Sequence, residues 1–389
     1  MNRILTYNAI SVKGLDKFSR ERYEVASEIG HPDAIMLRSH VLAPEDIGDS
    51  VKAIGRAGAG VNNIPVDNCT ERGIVVFNAP GANANAVKEL VVAALLLATR
   101  DIFGGIEFVK QEGAGKGHDE LHKIVEAGKK KYGGSELKGK TLGVVGLGAI
   151  GSLVAETGLM LGMEVYGYDP ALSVESAWRL SSKIQRVENM QSLLSKSDFV
   201  TLHLPVLEAT RNLINKELVN SFKPGGKLLN FSREKLVDTD AIIYGLDNGK
   251  IAQYLSDFPI PELLGHENAV QIPHLGASTE EAEENCAIMV ADQLIDFLDN
   301  GNIRNSVNFP NISLDRTDGY RIAFSNRNVP KMLNSVLSVL ADRDINVIDI
   351  INKSRDEVAY NILDIEQEPT EELIAELEAI EGVINVRVL

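Results

Sequence analysis

The sequence is poor in cysteine, in aromatic residues and in long apolar runs. Its 389 residues contain two cysteines, Cys69 and Cys286, too few for a disulfide framework or a cysteine-ligated metal centre. The longest apolar stretch, Leu90–Ala98, is about half of the ~20 residues that a membrane span needs. The first residues are typical of a β-strand, not of a signal peptide. We therefore expect a soluble cytoplasmic protein with no metal cofactor.

Positive charge is also scarce. There are 39 lysines and arginines against 55 aspartates and glutamates, a net charge of −16. Because no basic arm offsets this charge, we expect neither nucleic acid nor a membrane surface as a partner. The hydrophobic fraction of 44% and the charged fraction of 24% are those of a globular protein. The length is enough for two or three domains.

Most of the chain alternates short apolar strands with helical stretches, which predicts parallel strands joined by crossover helices. Gln111–Lys140 is polar and rich in lysine, and we interpret it as a solvated connector. Arg304–Asp318 carries Asn, Pro and Asp without a helical period, and we interpret it as a linker. The predicted strands of the alternating part are Asp33–Leu37, Ala53–Arg56, Ile74–Phe77, Thr141–Val145, Glu164–Tyr168, Asp198–Leu202, Lys227–Asn230, Tyr254–Ser256 and Val270–Ile272.

The last seventy residues follow a different order, strand–helix–strand–strand–helix–strand. This βαββαβ order predicts a ferredoxin-like unit. Its elements are the strand YRIAFS, a helix over Pro330–Asp342, the strands INVIDII and VAYNILDI, a helix over Pro369–Ile380 and the strand VINVRVL.

A glycine-rich motif predicts a dinucleotide site. Gly146, Gly148 and Gly151, with Ala149 and Ile150 between the last two, follow an apolar strand and open a helix. In such a turn the glycines allow the sharp bend, the approach of the pyrophosphate and close helix packing, while the helix N-terminus favours the anion. Asp169 ends the next strand and is expected to bind the ribose hydroxyls. A carboxylate there favours NAD over NADP, in a doubly wound parallel-sheet (Rossmann) domain.

Two residues at strand ends are candidates for acid chemistry. His274 follows the strand Val270–Ile272, where a general acid/base would sit in a doubly wound sheet. Arg233 follows another strand and could hold a carboxylate with its planar fork. The alternatives are a loop histidine held by hydrogen bonds and an arginine that is only a surface charge.

Together these segments resemble the D-2-hydroxyacid dehydrogenase family. The resemblance runs through GRAGAGVNNIPVDNC, GLGAIG, DFVTLHLP, NFSREKLVD and PHLGAST. It implies an α/β fold with a split flavodoxin-like substrate domain over 1–95 and 273–305, the NAD domain over 96–272, and a regulatory ACT domain over 319–389.

The resemblance also implies roles for single residues. His274 is then the acid/base, Arg233 the carboxylate ligand and Glu262 the acid that orients His274. The segment before Glu262 and the Glu234-Lys235 pair depart from the family pattern. The implied cofactor contacts are Pro205, Thr210, Ser232 and Asp257. The implied substrate contacts are Arg56, for a phosphate, and Ala59, Gly60, Val61 and Asn83.

In the C-terminal module the resemblance points to Asn326, Asn328 and Asn346 as regulatory residues. Lys331 stands where a glycine is usual, so a side chain there would crowd a ligand. The module is therefore expected either to bind L-serine or another amino acid, or only to help assembly. A homodimer or homotetramer is expected.

The implied activity is hydride transfer between NAD and D-3-phosphoglycerate or 3-phosphohydroxypyruvate, the first step of the phosphorylated route to L-serine. One alternative is a dehydrogenase of another D-2-hydroxy acid. A second is a non-catalytic NAD-sensing protein, since the fold alone does not fix activity.

Overall fold

A computed structural model describes residues 1–174 and 176–389 with their side chains. Its contacts divide the chain into two units. Unit 1 consists of Met1–Asn83 with Glu280–Leu389, and unit 2 of Ala84–Thr279. Among the described residues, no helix combines the length and the apolarity that crossing a membrane requires.

Unit 1 begins with a five-stranded parallel sheet in the order β2-β1-β3-β4-β5. This is the flavodoxin-like order that was expected. The central strands are apolar because helices cover both faces, and every residue of β3 is buried. The elements are β1 (Asn2–Thr6), α1 (Val12–Leu15), β2 (Tyr23–Ala26), β3 (Ala34–Leu37), β4 (Ala53–Arg56), α2 (Val66–Glu71) and β5 (Val75–Phe77).

Unit 2 holds a seven-stranded parallel sheet in the order β12-β11-β10-β9-β6-β7-β8. The order reverses between β6 and β9, where a doubly wound sheet binds its ligand. The strands are β6 (Thr141–Val145), β7 (Glu164–Tyr168), β8 (Gln185–Arg186), β9 (Phe199–Leu202), β10 (Gly226–Asn230), β11 (Ile251–Ser256) and β12 (Ala269–Gln271). The helices are α3 (Ala84–Leu97), α4 (Ile102–Gly113), α5 (His118–Gly128), α6 (Ala149–Met160), α7 (Val174–Trp178), α8 (Met190–Lys196), α9 (Lys216–Asn220) and α10 (Thr239–Asp247).

The segment Gln111–Lys140, predicted as a solvated connector, is largely exposed as expected, but most of it is helical. The segment contains the end of α4, the whole of α5 and a 3-10 turn over Lys129–Tyr132. Phe108 packs on Tyr132, with ring centroids 5.2 Å apart. Neither helix has a buried residue, and their contacts are with each other and with the 3-10 turn.

The chain returns to unit 1 with the long helix α11 (Glu280–Asn300), which packs against α1 and β4. A four-stranded antiparallel sheet follows, in the order β14-β15-β13-β16. Its βαββαβ elements are β13 (Tyr320–Arg327), α12 (Met332–Asp342), β14 (Val347–Arg355), β15 (Val358–Ile365), α13 (Glu371–Glu378) and β16 (Val383–Val388).

The linker predicted over Arg304–Asp318 is packed into unit 1. The Asn308 side chain accepts a hydrogen bond from the Val76 backbone at 2.9 Å and donates to the Ile74 carbonyl at 2.9 Å. Phe309 and Ile312 are buried. The segment has no helical or strand period because its burial comes from single anchoring side chains.

Arg321 joins the C-terminal sheet to this segment. Its side chain is fully buried, and it donates twice to the Asp364 carboxylate, at 2.7 and 2.8 Å. Its other three hydrogen bonds go to the carbonyls of Asn300, Leu314 and Asp315. All five donors of the guanidinium are therefore used.

The division of the chain differs from the predicted domain bounds. The boundary expected after residue 95 falls inside α3, and contacts divide the chain after Asn83 and after Thr279. They also group the C-terminal sheet with the first sheet, because the segment between them is packed and not extended.

Candidate functional site

The glycine turn between β6 and α6 has the form that a pyrophosphate needs. Gly146 has a φ of +87°, and a Cβ on Gly151 would lie 1.8 Å from the Gly146 carbonyl oxygen, so neither position accepts a side chain. Nothing lies within 4 Å of where a Cβ on Gly148 would be, so the space in front of the helix N-terminus is open. The turn therefore fits a bound dinucleotide, as the motif predicts.

His203 lies directly beneath this turn. A Cβ on Gly146 would lie 2.4 Å from the His203 carbonyl oxygen. Burial lowers the pKa of the His203 imidazole to about 3, so the ring is neutral at physiological pH. Nε2 lies 3.0 Å from the Thr201 hydroxyl, whereas Nδ1 is buried without a partner among the described residues. The neutral ring therefore packs beneath the turn without adding a charge there.

Asp169 lies at the end of β7, beside the turn. Its carboxylate accepts hydrogen bonds from the backbone amides of Leu147 and Ala171, each at 2.9 Å. The first of these bonds ties the acid to the glycine turn. Each carboxylate oxygen can accept more than one hydrogen bond, so the ribose role stays compatible with this geometry.

Other predicted cofactor contacts lie at the carboxyl ends of the same sheet. The Thr210 hydroxyl donates to the Pro205 carbonyl at 2.6 Å and closes the loop after β9. The Ser232 hydroxyl donates to the Leu202 carbonyl at 2.7 Å and ties the end of β10 to the end of β9. These bonds hold two loops at the point where the strand order reverses.

Asp257 follows β11 and is almost fully buried. One carboxylate oxygen accepts a hydrogen bond from the Gly276 amide at 2.9 Å. The other is buried with no partner in the part of the chain that the structure describes. Burial raises the pKa of this carboxyl group above its ordinary value. An unsatisfied acceptor of this kind is suited to an amide donor from a ligand.

Arg233 and His274 are brought together on one aromatic ring. The Arg233 guanidinium carbon lies 5.1 Å from the ring centroid of Phe258. The His274 imidazole lies on the same ring, with centroids 4.4 Å apart and planes inclined by 45°. A cation suited to a carboxylate thus stands near a group suited to proton transfer.

Glu262 does not pair with His274 in this structure. It lies on an exposed 3-10 turn over Pro261–Leu263 that Leu263 anchors. Within the described residues, its carboxylate has no hydrogen bond or ion pair, and the ring contact of His274 is with Phe258. The orienting role of Glu262 stays a prediction.

The predicted substrate residues of unit 1 cluster after β4. The Arg56 Nε donates to the Arg38 carbonyl at 3.1 Å, and the guanidinium folds over Gly58, where a Cβ would lie 2.0 Å from Nη1. The Ala59 carbonyl accepts from Asn78 at 2.6 Å. Gly60 and Val61 continue this loop. Asn83 ends the next loop, immediately before α3.

Comparisons with known proteins identify the family. Residues 92–276 match the model of the D-isomer specific 2-hydroxyacid dehydrogenase NAD-binding domain, and residues 320–382 match the ACT domain. A D-3-phosphoglycerate dehydrogenase of Haemophilus influenzae is 33% identical over 90% of this chain and 85% of its own length. That of Escherichia coli strain K12 is 33% identical over 91% and 86%. The chain belongs to the D-isomer specific 2-hydroxyacid dehydrogenase family.

A solved structure supports the same conclusion for this 2-hydroxyacid dehydrogenase. The NAD⁺-bound 3-phosphoglycerate dehydrogenase of Entamoeba histolytica covers 79% of this chain and 98% of its own, with a TM-score of 0.60 and 25% identity. The predicted fold, with parallel sheets and a C-terminal ACT domain, is confirmed. The predicted activity, that of an NAD-dependent oxidoreductase, is confirmed as well. NAD as the cofactor is confirmed as well.

The three asparagines predicted to regulate the dehydrogenase do not form one cluster within the chain. Asn326 is buried and accepts from Asn361 at 2.7 Å, and Asn328 donates to the Asp356 carbonyl at 3.0 Å at the same end of the sheet. Asn346 lies beside Glu366, at the other end of β15. The length of β15 puts these ends roughly 25–30 Å apart. The regulatory role of the three asparagines stays a prediction.

Lys331 has the left-handed backbone conformation that favours glycine, the residue expected at this position from the family resemblance. Its φ is +77°, in the left-handed region, immediately before α12. A non-glycine residue pays a steric cost there, and the turn is kept in spite of it.

Sequence reasoning missed three residues of the site: Phe258 and the buried polar pair Asn230 and Ser256. The last two end β10 and β11 and are hydrogen-bonded to each other at 2.8 Å, from the Ser256 hydroxyl to the Asn230 carbonyl. The sequence signal that could have identified these two residues is a polar residue at the end of an otherwise apolar strand. The ring contacts of Phe258 had no signal, because they depend on where three loops meet.

Proposed function

We propose that this dehydrogenase interconverts D-3-phosphoglycerate and 3-phosphohydroxypyruvate, with Arg233 and His274 as its catalytic residues. The observation that carries the chemistry is the contact of both side chains with the Phe258 ring. The substrate is supported by the relatives at 33% identity, which are D-3-phosphoglycerate dehydrogenases.

In this mechanism Arg233 binds the carboxylate through its planar fork and polarises the neighbouring oxygen. His274 takes the proton of the C2 hydroxyl, and in the reverse direction it returns a proton to the 2-keto oxygen. NAD, when bound on the Gly146–Gly151 turn, supplies the acceptor for the hydride. Asp257 would lie near the carboxamide of the bound cofactor, as the family resemblance implies.

Arg56 gives the specificity for a phosphorylated acid. The chain has a net charge of −16, so a trianionic substrate needs a local cation. We assign the phosphate to the Arg56 guanidinium and the carboxylate to the backbone amides of Ala59, Gly60 and Val61, together with Arg233. Asn83 is assigned to the substrate as well, and Glu262 to the orientation of His274 once ligands are bound.

The ACT domain is proposed to bind L-serine or another amino acid in an assembled homodimer or homotetramer. Asn346 and Asn328 lie at opposite ends of one sheet, so two copies are needed to bring an Asn346 to an Asn328. We also assign the enzyme to the cytoplasm, since both cysteines are free and buried.

The test is steady-state oxidation of NADH with phosphohydroxypyruvate, pyruvate, hydroxypyruvate or glyoxylate, each with and without L-serine. A strong preference for phosphohydroxypyruvate supports the proposal, and inhibition by serine supports the role of the ACT domain. Preference for an unphosphorylated acid would overturn the substrate, and absence of turnover with every acid would overturn the catalytic assignment.

A further inference from the structure

The Phe258 ring occupies a central place in the site. Arg233 and His274, which come from different loops, both lie against it, at 5.1 and 4.4 Å. Among the described residues, the Arg233 guanidinium makes one hydrogen bond, to the neighbouring Ser232 carbonyl at 2.6 Å. Among the described residues, the imidazole of His274 makes no hydrogen bond. The ring is thus a contact that the two side chains share, and both also lie near enough to the Asp257 carboxyl group to lower its pKa against the effect of burial.

The backbone of Phe258 is held by hydrogen bonds to buried polar residues at the strand ends. Ser256 accepts a hydrogen bond from the Phe258 amide at 3.0 Å and donates to the Asn230 carbonyl at 2.8 Å. The Asn230 amide group donates to the Arg233 carbonyl at 2.9 Å. Asn230 and Ser256 are 0% and 1% exposed, so these bonds are shielded from water. One buried pair therefore sets the position of both Phe258 and Arg233.

An aromatic ring at this place has an effect that an aliphatic side chain lacks. The face of the ring carries partial negative charge and attracts a guanidinium or an imidazolium. Two cations held near one another repel, and a ring in contact with both offsets part of that repulsion. Leucine would fill much of the same volume without a charged face.

We propose that Phe258 is a positioning residue that holds Arg233 and His274 in the reactive arrangement, with Asn230 and Ser256 fixing its backbone. The proposal rests on the roles assigned to Arg233 and His274 above. Phe258 itself transfers no proton and binds no charge of the substrate.

The experiment compares Phe258→Leu with Phe258→Tyr, which keeps the ring. In Phe258→Leu we expect kcat/KM for the keto acid to fall about tenfold, the size of a partly desolvated cation–π contact. Both KM, through Arg233, and kcat, through His274, should change, while the Kd of NADH stays within about twofold. Phe258→Tyr should keep kcat/KM within about threefold of the unmodified enzyme.

The matched control is Phe108→Leu, the same substitution at a half-buried phenylalanine of unit 2 that packs on Tyr132. It should leave kcat and KM unchanged. Thermal unfolding of each variant shows whether the fold is kept. Equal losses in the Leu and Tyr variants, or normal kinetics in Phe258→Leu, would overturn the proposal.

Comparing His274→Ala with Phe258→Leu distinguishes failure of the catalytic assignment from failure of the positioning role of Phe258. If His274→Ala is inactive while Phe258→Leu is normal, only the role of Phe258 fails. If His274→Ala turns over normally, the catalytic assignment fails, and the positioning role fails with it. In the His274→Ala background, Phe258→Leu should still weaken binding of the keto acid, measured as its Kd by titration, because it acts through Arg233.

Discussion

At the scale of single residues, the site is organised by buried polar groups that do no chemistry themselves. The Asp257 carboxylate, the His203 ring and the Asn230–Ser256 pair all lie at or beneath the carboxyl ends of the strands of unit 2. Their hydrogen bonds decide where the following loop begins. Because such bonds are shielded from water, losing one costs more than losing a surface bond.

His274→Ala tests the acid/base role. We expect turnover to fall by about 10²–10⁴-fold, the usual contribution of general acid–base catalysis, with NADH binding near normal. His266→Ala is the matched control, because that ring contacts Asp247 at 3.4 Å in the same unit. Fluorescence titration and steady-state kinetics measure both effects. Lost NADH binding in His274→Ala would indicate a structural histidine instead.

Arg56→Ala tests recognition of the phosphate. Loss of a charge-assisted hydrogen bond worth about 1.5–3 kcal/mol should lower kcat/KM for phosphohydroxypyruvate by roughly 10–100-fold. The loss for hydroxypyruvate should be much smaller. Arg22→Ala, which removes a surface ion pair with Asp299, is the control. Equal losses for the two substrates would contradict the role of Arg56.

The thiols give a prediction that is independent of catalysis. Burial raises the pKa of Cys69 to about 11 and raises that of Cys286 as well. Both groups are therefore protonated and inaccessible at pH 8, and the thiolate is the reactive form. A chromogenic thiol reagent, followed by absorbance, should label neither cysteine in the folded enzyme and both in denaturant. Rapid labelling of the folded enzyme would show that one of the two segments opens.

At the scale of elements, the sequence was informative wherever burial is continuous. The buried strands β6, β7 and β9 lie within a residue of their predicted bounds, because fully apolar runs bounded by turns have few other structures. The sequence was misleading where a segment is held by one or two buried side chains. Leu137 and Phe309 are buried in segments whose sequences are otherwise typical of connectors, and hydrophobicity averaged over several residues hides a single buried side chain.

The same difference applies to the site. Arg233, His274 and the glycine turn follow predicted strands and could be found by position alone. The Phe258 contacts could not, since they depend on the distance between loops that are far apart in the sequence. The Glu262 contact was expected from the family resemblance, which does not fix where the side chain of an exposed turn points in this chain.

The helix α6 and its turn give a paired prediction. In Gly151→Ala the new Cβ would lie 1.8 Å from the Gly146 carbonyl oxygen, so the turn must shift and both thermal stability and NADH binding should fall. In Gly148→Ala the Cβ enters open space, so stability should hold while NADH binding weakens by about tenfold or more. Calorimetric titration and thermal unfolding separate the two. Unchanged NADH binding in both variants would exclude this turn as the cofactor site.

At the scale of the whole molecule, the C-terminal sheet is part of unit 1. Asn385 donates to the Gly73 carbonyl at 2.9 Å, and Arg387 lies over the Phe297 ring at 4.2 Å. Together with the Arg321–Asp364 pair, these contacts join the sheet to α11 and to the loop after α2. We therefore expect the two parts of unit 1 to unfold together.

Asp364→Asn tests this coupling. Burial opposes the charge of Asp364, but Arg321 and Thr317 outweigh it and hold the pKa of the carboxyl group below its ordinary value of 3.8. The folded state then binds this proton less tightly than the unfolded state, so the stabilisation is present above pH ~4 and is lost as the pH falls below it. Removing the charge at neutral pH leaves Arg321 buried and unpaired, which costs about 3–5 kcal/mol.

The control for that variant is Asp315→Asn, the same change at an exposed carboxylate of the adjoining segment. Its unfolding temperature should stay near that of the unmodified enzyme. The Asp364→Asn variant should also lose most of its extra sensitivity to acid. Melting of the C-terminal sheet alone, with the first sheet intact, would contradict the coupling.

The five hydrogen bonds of Arg321 also bear on how such a chain can be recombined in evolution. Three of its acceptors are main-chain carbonyls between Asn300 and Asp315, ahead of the residues that match the ACT domain model. A recombination point at residue 319 would separate this donor from acceptors whose positions depend on the parent backbone. A chimera of two homologues joined at residue 319 should therefore be less stable than one in which Arg321 and the carbonyls of Asn300, Leu314 and Asp315 come from the same parent.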